Sequence, residues 1–388
     1  MHLSRFIAIV ILGGGCTLAS NTSYVDWKTF SPTGVNLGGW LEQEASVDPG
    51  WWDTYGGSAP DEWTLCAALG SRCGSVLEER YATFITTTDI DRAASAGISA
   101  LRIPMTYAAF VRVPGSQLYS GNQTQYLKAI TDYAIAKYGM HIIIDLHSLP
   151  GGVNGVAIGE KTGNYGWWHN ETALEYSYQA VEGIIDFIQK SGSPQSYTIS
   201  PINEPADVQN LTLFSTSASI TEDGANYLTT YIKGVLSRVK AVNSKIPVMF
   251  QASFKPESYW SPRFDASANM VIDTHNYYFY YQPATSSNIS DYICADAKLS
   301  ASDGKFPVWI GEWAVQAQFN NTLESRATNL NNGLYAWEKY TQGSAYWNLK
   351  YLGNTTVSGE GTMEDYWNLE NFIAMGIINP NSSTGFCP

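Results

Sequence analysis

Residues 141–147 read HIIIDLH, an apolar run that ends on a carboxylate and an imidazole. Apolar residues at consecutive positions indicate a strand that is buried on both faces, as in a parallel sheet. Similar short runs recur along the chain and alternate with longer helical patterns. The eight predicted strands are 34–37, 100–103, 141–146, 197–201, 248–252, 270–274, 308–311 and 345–349.

Helical patterns fall between these strands and decide the fold class. Eight strands that alternate with helices in one domain of this length predict an α/β fold, a single (β/α)8 TIM barrel. A doubly wound open sheet would need a glycine-rich phosphate turn after an early strand, and GVNLGG at 34–39 lacks that spacing. The predicted helices are 77–96, 125–138, 172–189, 225–242, 290–299, 323–340 and 365–375, with only a weak helix between the fifth and sixth strands.

The composition of the 388 residues narrows the class of ligand. Hydrophobic residues make up 44% of the chain, which is enough for a large buried core. The net charge is −13 and no basic run occurs, so neither a nucleic acid nor an anionic membrane surface is an expected partner. With 13 Trp, 25 Tyr and only 15% charged residues, the chain suits neutral polar ligands that stack on aromatic rings, above all sugars.

The N-terminal residues predict export. Arg5, the apolar stretch 6–12 and the small residues up to Ala19 are typical of a signal peptide at 1–19, which leaves one catalytic domain at 20–388. The apolar stretch is far shorter than the ~20 residues of a membrane span. Residues 379–388 lack the apolar tail of a lipid anchor, so no membrane anchor is expected. We therefore expect a secreted protein of the extracellular space or the cell wall.

Cysteines and glycosylation sequons fit the same compartment. After removal of 1–19, an even number of cysteines remains, and they allow two disulfides in three possible pairings: Cys66, Cys73, Cys294 and Cys387. Eight Asn-x-Ser/Thr sequons predict a glycoprotein. They begin at Asn21, Asn122, Asn170, Asn210, Asn288, Asn320, Asn354 and Asn381.

Two glutamates follow β-like runs and carry the expected chemistry. Glu204 lies in ISPINEPAD (199–207) and Glu312 in VWIGEWAV (308–315). Active sites of (β/α)8 barrels lie at the C-terminal ends of the strands, where both acids would stand among Asn, His, Tyr and Trp. Cleavage of a glycosidic bond needs one acid to protonate the leaving oxygen and one carboxylate to meet the developing cation. Each glutamate could also cap a helix or pair with an arginine, but two such acids on one rim favour catalysis.

Six short segments, taken in their order along the chain, support the same interpretation. GVNLGGW, LRIPM, DLH, NEP, HNY and GEW, which begin at residues 34, 101, 145, 203, 275 and 311, together resemble glycoside hydrolase family 5. Within that family the chain looks like the fungal exo-β-1,3-glucanase branch and its β-1,6-glucanase relatives. The resemblance covers nearly all of residues 20–388 and implies a (β/α)8 fold and a retaining, double-displacement mechanism.

The resemblance also implies roles for individual residues. Glu204 would be the general acid/base and Glu312 the nucleophile. The family joins a cysteine after the sixth strand to one near the C-terminus, which implies Cys294–Cys387 and leaves Cys66–Cys73. The supporting residues would be Asn203 on the sugar 2-OH, Arg102 and Tyr277 beside Glu312, His275 beside Glu204, His147 on the sugar, Trp347 as the floor of the glucose subsite and Glu44 on the terminal glucose.

One segment departs from the exo-β-1,3 pattern. That branch places a Phe and an Asp in the loop after the His147 motif, whereas this chain has Val156 and Ala157 in NGVAIG (154–159). We therefore expect action on either β-1,3 or β-1,6 linkages. The alternatives are an endo-β-1,6-glucanase or a transglycosidase that uses the same catalytic pair. A barrel that binds glucan without cutting it is disfavoured, because both acids are present.

Two histidines also raise the question of a metal. His147 and His275 could hold one with Asp145, but barrel metallohydrolases usually bring paired histidines on the first strand, and none stands there. We expect no metal and no cofactor, and we expect Asp145 to hydrogen-bond backbone groups behind the site. The predicted protein is a monomeric, secreted, retaining β-glucanase whose partner is a fungal-type β-glucan polysaccharide or oligosaccharide.

Overall fold

The computed structural model describes residues 23–280, 282–301 and 303–388. The expected signal peptide 1–19 and the sequon at Asn21 lie outside these residues. None of the helices in the described part of the chain has the length and the apolar content that a membrane crossing requires.

Parallel strands close into a barrel in sequence order, with the last strand paired to the first. The prediction of a single (β/α)8 barrel is therefore confirmed. Within the described residues the strands are β1 Thr33–Asn36, β2 Ala100–Met105, β3 His141–Leu146, β4 Tyr197–Ser200, β5 Val248–Gln251, β6 Met270–Tyr278, β7 Val308–Ala317 and β8 Ser344–Tyr346.

Helices surround the barrel. In the same described ranges they are α1 Pro49–Tyr55, α2 Glu62–Leu69, α3 Cys73–Thr83, α4 Thr87–Ser95, α5 Gln123–Tyr138, α6 Glu171–Lys190, α7 Glu222–Asn243, α8 Glu257–Trp260, α9 Ile289–Ser300, α10 Arg326–Tyr340, α11 Glu364–Trp367 and α12 Leu369–Met375. The weak helix expected between the fifth and sixth strands is the four-residue α8.

Several predicted boundaries were wrong. The helix predicted at 77–96 is two helices, because Thr86 caps α4 through a capping box with Asp89 and ends the preceding run. The helix predicted at 365–375 is likewise divided at Asn368, whose side chain caps α12. α1 and α2 were not predicted at all, since each is short and lacks a clear amphipathic pattern.

Two strands are longer than predicted, and both carry functional residues. β6 and β7 were expected to end at residues 274 and 311, but they continue to Tyr278 and Ala317. Their pairing shifts register between Thr274 and His275, so the extension is irregular. Because of it, His275, Tyr277 and Glu312 lie within strands rather than in the loops that follow them.

The interior of the barrel changes from apolar to polar along the strands. A lower layer packs beneath the indole of Trp27, which closes that end and donates to Thr198 Oγ1 at 3.0 Å. Side chains alternate across a strand, so residues two positions further along point into the same interior. The lower layer contains Ala100, Ile143, Met249, Val271, Trp309 and Ala345, and the next layer two residues later contains Arg102, Asp145, Gln251, Asp273, Gly311 and Trp347.

Both expected disulfides are present. Cys66–Cys73 joins α2 to the start of α3. Cys294–Cys387 ties the C-terminus to α9.

Candidate active site

The two glutamates face one another at the C-terminal end of the barrel. Glu204 follows β4, Glu312 lies on β7, and both are 5% exposed. One carboxylate oxygen of Glu204 lies within 4.8 Å of one of Glu312. Carboxyl groups of retaining glycosidases stand about 5–5.5 Å apart, whereas inverting enzymes leave about 6.5–9.5 Å for a water molecule. The spacing therefore suits a covalent intermediate.

Two donors contact the side-chain oxygens of Glu312. Arg102 Nη1 lies 2.7 Å from Oε1, and the phenol of Tyr277 donates to Oε2 at 2.8 Å. Burial and the charge of Glu312 raise the pKa of Tyr277 well above its ordinary value, so the phenol keeps its proton. The donors from β2 and β6 therefore fix the orientation of the Glu312 side chain.

Glu204 is fixed through both its side chain and its backbone. His275 Nδ1 lies 2.7 Å from Glu204 Oε1. The backbone of Glu204 is left-handed, with φ of 43°, a conformation that non-glycine residues rarely adopt. Asn154, in the loop after β3, donates to the Glu204 carbonyl at 3.1 Å, and Ala206 N donates to Val153 O at 3.0 Å. This loop therefore holds the strained peptide in place, a role that the sequence did not indicate.

The surroundings of His275 favour the protonated form of its ring. Burial alone would lower its pKa, but the charges of Glu312 and Asp273 outweigh burial and raise it to about 10. Glu204, His275 and Glu312 have the spacing of a three-ligand metal site. Both oxygens of Glu312 already accept from donors, Arg102 and Tyr277. The cluster is therefore better suited to proton transfer than to metal binding.

Arg102 is connected to the other predicted residues. Its Nη2 donates to Asn203 Oδ1 at 2.7 Å and lies 3.1 Å from Asp145. Asp145 in turn contacts His147 Nδ1 at 2.7 Å, and His147 Nε2 lies 3.3 Å from the Asn203 amide. We expected Asp145 to hydrogen-bond backbone groups, and this prediction was wrong. The side chain of Asp145 lies inside the barrel, where it contacts the side chains of Arg102, His147 and Ser200.

An aromatic floor and a further carboxyl complete the cleft. Trp347 follows β8, and its ring stacks against His147 with the planes 15° apart. A Cβ at residue 38 would come within 2.5 Å of that indole, so Gly38 makes room for it. Glu44 is half-buried and interacts electrostatically with His147, Glu312 and Glu204 of this cleft. Burial raises the pKa of Glu44 to about 7; the charges of Glu312 and Glu204 add to this increase, while His147 opposes it.

One residue beside the site, Trp367, was not singled out in the sequence analysis. Trp367 stacks on Tyr277 with ring centroids 5.2 Å apart. Next to the site, a cavity of about 430 Å³ opens between the loops after β5 and β6 and is lined by Phe254, Phe279 and Tyr280. Its aromatic walls are suited to the leaving-group side of a substrate. Contacts such as that of Trp367 join residues far apart in sequence, and no local pattern reveals them.

Comparisons with known proteins agree with this geometry. The family model described as cellulase (glycosyl hydrolase family 5) matches residues 70–353. The chain belongs to glycoside hydrolase family 5. It is therefore a glycosidase, as the six sequence segments predicted.

Individual family 5 relatives differ in their named substrates. A probable glucan 1,3-beta-glucosidase A of Aspergillus niger is 32% identical over 349 residues, which cover 89% of this chain and 77% of that protein. Glucan 1,3-beta-glucosidase 1 of Schizosaccharomyces pombe is 28% identical and covers 76% of this chain and 70% of its own length. The crystal structure of rutinosidase from Aspergillus niger is 57% identical, with a TM-score of 0.91, and covers 92% of this chain and 100% of its own.

The elevated pKa of Glu44 leads to a pH-dependent prediction. At pH 5 the carboxyl is protonated, so Glu44→Gln should leave the KM for an aryl β-glycoside close to that of the wild type. At pH 8 the wild-type group is an anion that accepts strong hydrogen bonds from sugar hydroxyls. A hydrogen bond to a charged group is worth about 1.5–3 kcal/mol, so the variant's KM should then be about tenfold higher or more.

Glu42→Gln is the matched control for this experiment. Glu42 is fully buried, and burial together with the charge of Glu62 raises its pKa well above the ordinary value. Its side chain is only 3% exposed and so is out of reach of the substrate, and its replacement should leave KM unchanged at both pH values. A Glu44→Gln effect of equal size at pH 5 and pH 8 would contradict the assigned ionisation.

Proposed function

We propose that this protein hydrolyses the β-glucosidic bonds of fungal-type cell-wall glucan, with β-1,3 or β-1,6 linkages, by a retaining double displacement. The observation that carries the proposal is the approach of the Glu204 and Glu312 carboxylates to within 4.8 Å. We propose a monomer as the functional unit.

In the first step Glu312 acts as the nucleophile. One of its carboxylate oxygens forms a bond to the anomeric carbon while the bond from that carbon to the leaving oxygen breaks. Glu204 transfers its proton to the leaving oxygen, which departs as an alcohol, and a glycosyl ester remains on Glu312. Asn203, fixed by Arg102 at 2.7 Å, stands where the family places a donor to the sugar 2-OH.

In the second step water replaces the leaving group. Glu204, now a carboxylate, takes a proton from the water as its oxygen attacks the anomeric carbon, and the ester bond to Glu312 breaks. The two inversions restore the β configuration. Tyr277 and Arg102 again stabilise the released carboxylate, so the enzyme returns to its starting protonation state.

A second substrate is favoured by a specific observation. The rutinosidase is more similar to this chain than the glucan 1,3-beta-glucosidases are, at 57% against 32% and 28% identity. In addition, the half-buried Val156 and Ala157 stand where the glucanase branch carries the larger Phe and Asp. A cleft without those side chains has more room around the sugar. A β-rutinoside, whose bond to the aglycone comes from glucose, is therefore the alternative substrate for the same catalytic pair.

Export is also part of the proposal. Disulfides persist in oxidising compartments, and the chain has Cys66–Cys73 and Cys294–Cys387. Sequon asparagines Asn354 and Asn381 are exposed. Together with the signal-like residues 1–19, these features support a secreted glycoprotein of the cell wall or the extracellular space.

Substrates with different leaving groups distinguish the proposed role of Glu312 from that of Glu204. Glu312→Gln should reduce kcat by orders of magnitude on every aryl β-glycoside, because no nucleophile remains. Glu204→Gln should lose activity on a 4-methoxyphenyl glycoside but keep much of the first step on a 2,4-dinitrophenyl glycoside, whose leaving group needs no proton. Near-wild-type turnover by Glu312→Gln, with folding verified by circular dichroism, would refute the assignment.

Parallel digestion identifies the substrate class. We expect glucose from laminarin if the enzyme acts from chain ends on β-1,3-glucan, and oligomers from pustulan if it acts internally on β-1,6-glucan. Release of an intact disaccharide from rutin would establish the alternative, and products longer than the substrate at high concentration would show transglycosylation. Folded protein that cleaves none of the three would contradict the proposal.

A further inference from the structure

Three buried polar atoms converge behind the catalytic pair. Asp273 Oδ2 lies 3.4 Å from His275 Nε2 and 3.8 Å from Arg102 Nε. Within the described residues, none of these three atoms makes a hydrogen bond of ordinary geometry. The side chains of all three residues are completely buried. Unpaired polar atoms are costly in a protein interior, so this arrangement calls for a functional explanation.

The other oxygen of Asp273 holds the strand that carries the nucleophile. Oδ1 accepts the N–H of Gly311 at 2.8 Å, while the carbonyl of Gly311 accepts from Asn36 at 2.8 Å. A Cβ at residue 311 would lie 2.1 Å from Asp273 Oδ1, so only glycine fits there. The backbone N–H and C=O of Gly311, the residue before Glu312, are therefore both held, and Asp273 holds the N–H.

The chain contains the same arrangement twice. Asp145 stands two residues before His147 on β3, and Asp273 stands two residues before His275 on β6. Each carboxylate lies between Arg102 and the following histidine. Asp145 is fully engaged, with its histidine at 2.7 Å and Ser200 Oγ at 2.6 Å. Asp273 faces the histidine that contacts the acid/base, and its Oδ2 meets Arg102 and His275 only as ion pairs, at 3.8 and 3.4 Å.

The reaction moves one negative charge from Glu312 to Glu204. Before the first step Glu312 is charged and Glu204 is neutral; in the glycosyl-enzyme Glu312 is an ester and Glu204 is a carboxylate. His275 Nδ1 lies 2.7 Å from Glu204 and 3.5 Å from Glu312, so one N–H can serve whichever group is charged. For this, the His275 ring must stay protonated throughout the catalytic cycle. The carboxylate of Asp273 faces the other ring nitrogen, Nε2, at 3.4 Å.

We propose that Asp273 is a positioning residue that couples the two catalytic glutamates, holding Arg102 on the nucleophile side and a doubly protonated His275 on the acid/base side. The inference rests on the roles proposed for Glu204 and Glu312. The groups that face His275 are Glu204 from the segment after β4, Glu312 from β7 and Asp273 from its own strand, with the Arg102 cation beyond Asp273. The charges of Glu312 and Asp273 raise the pKa of the ring to about 10.

The test is a titration of the His275 ring by NMR in protein labelled with ¹⁵N-histidine, with the signal assigned from His275→Gln. In the wild type both ring nitrogens should carry protons at pH 7.5. In Asp273→Asn the amide oxygen can still accept from Gly311, but the negative charge is gone. The pKa of His275 should therefore fall by at least about one unit, and kcat should fall by about 10- to 100-fold.

Asp89→Asn is the matched control, because Asp89 is also a buried carboxylate that accepts a backbone N–H, from Thr86 at 2.7 Å, and pairs with a cation, Lys350 at 2.8 Å, but stands at the start of α4. It should alter neither the titration of His275 nor kcat. A purely structural role of Asp273 would lower the melting temperature without moving the pKa of His275, and that result would overturn the inference.

If Asp273→Asn does not fold, the protonation state of His275 in the wild-type protein still tests the inference. A neutral His275 ring at pH 7.5 in the wild type would overturn it. An inactive wild type whose His275 is doubly protonated would instead refute the proposed function and leave this charge network intact.

Discussion

The buried guanidinium of Arg102 is the constraint on which the rest of the active site depends. A charge without exposed surface is tolerated only when partners surround it, because its removal from water costs several kcal/mol. β2 places this cation inside a closed barrel, where the surrounding segments must supply acceptors. They do so from five different parts of the chain: Asn36, Asp145, Asn203, Asp273 and Glu312. The orientation of the nucleophile is therefore a consequence of how the barrel neutralises one buried cation.

The layered interior explains why the site lies where it does. The lower layer, closed by Trp27, is apolar and stabilises the barrel by burial. Two residues further along the strands the interior becomes polar, and two residues beyond Asp145 and Asp273 stand His147 and His275, at the level of the substrate cleft. Strand periodicity thus places three layers in order: apolar packing, charge compensation and, in the proposed function, contact with the sugar.

Much of this organisation can be predicted from sequence, and the failures have physical causes. Glu204, Glu312 and their near neighbours could be predicted because strand ends of a parallel barrel must share one rim. Asp273 could not be predicted, because it lies within a predicted strand. Its contacts with Arg102, His275 and Gly311 form only when β2, β6 and β7 meet. The left-handed backbone of Glu204 and its support by Asn154 were also invisible, since both depend on a contact fifty residues away in sequence. The choice of substrate could not be predicted either, because it depends on the shape of the loops around the cleft.

Trapping of the covalent intermediate tests the central claim most directly. An activated 2-deoxy-2-fluoro-β-glucoside slows both steps, so the glycosyl-enzyme should accumulate with a stoichiometry of one per chain and be found by mass spectrometry on Glu312 in the peptide around residues 308–317. Subsequent reactivation by an acceptor sugar should release the label. A label on Glu204, or full turnover of ordinary substrate with no residue ever labelled, would contradict a mechanism built on these two carboxylates.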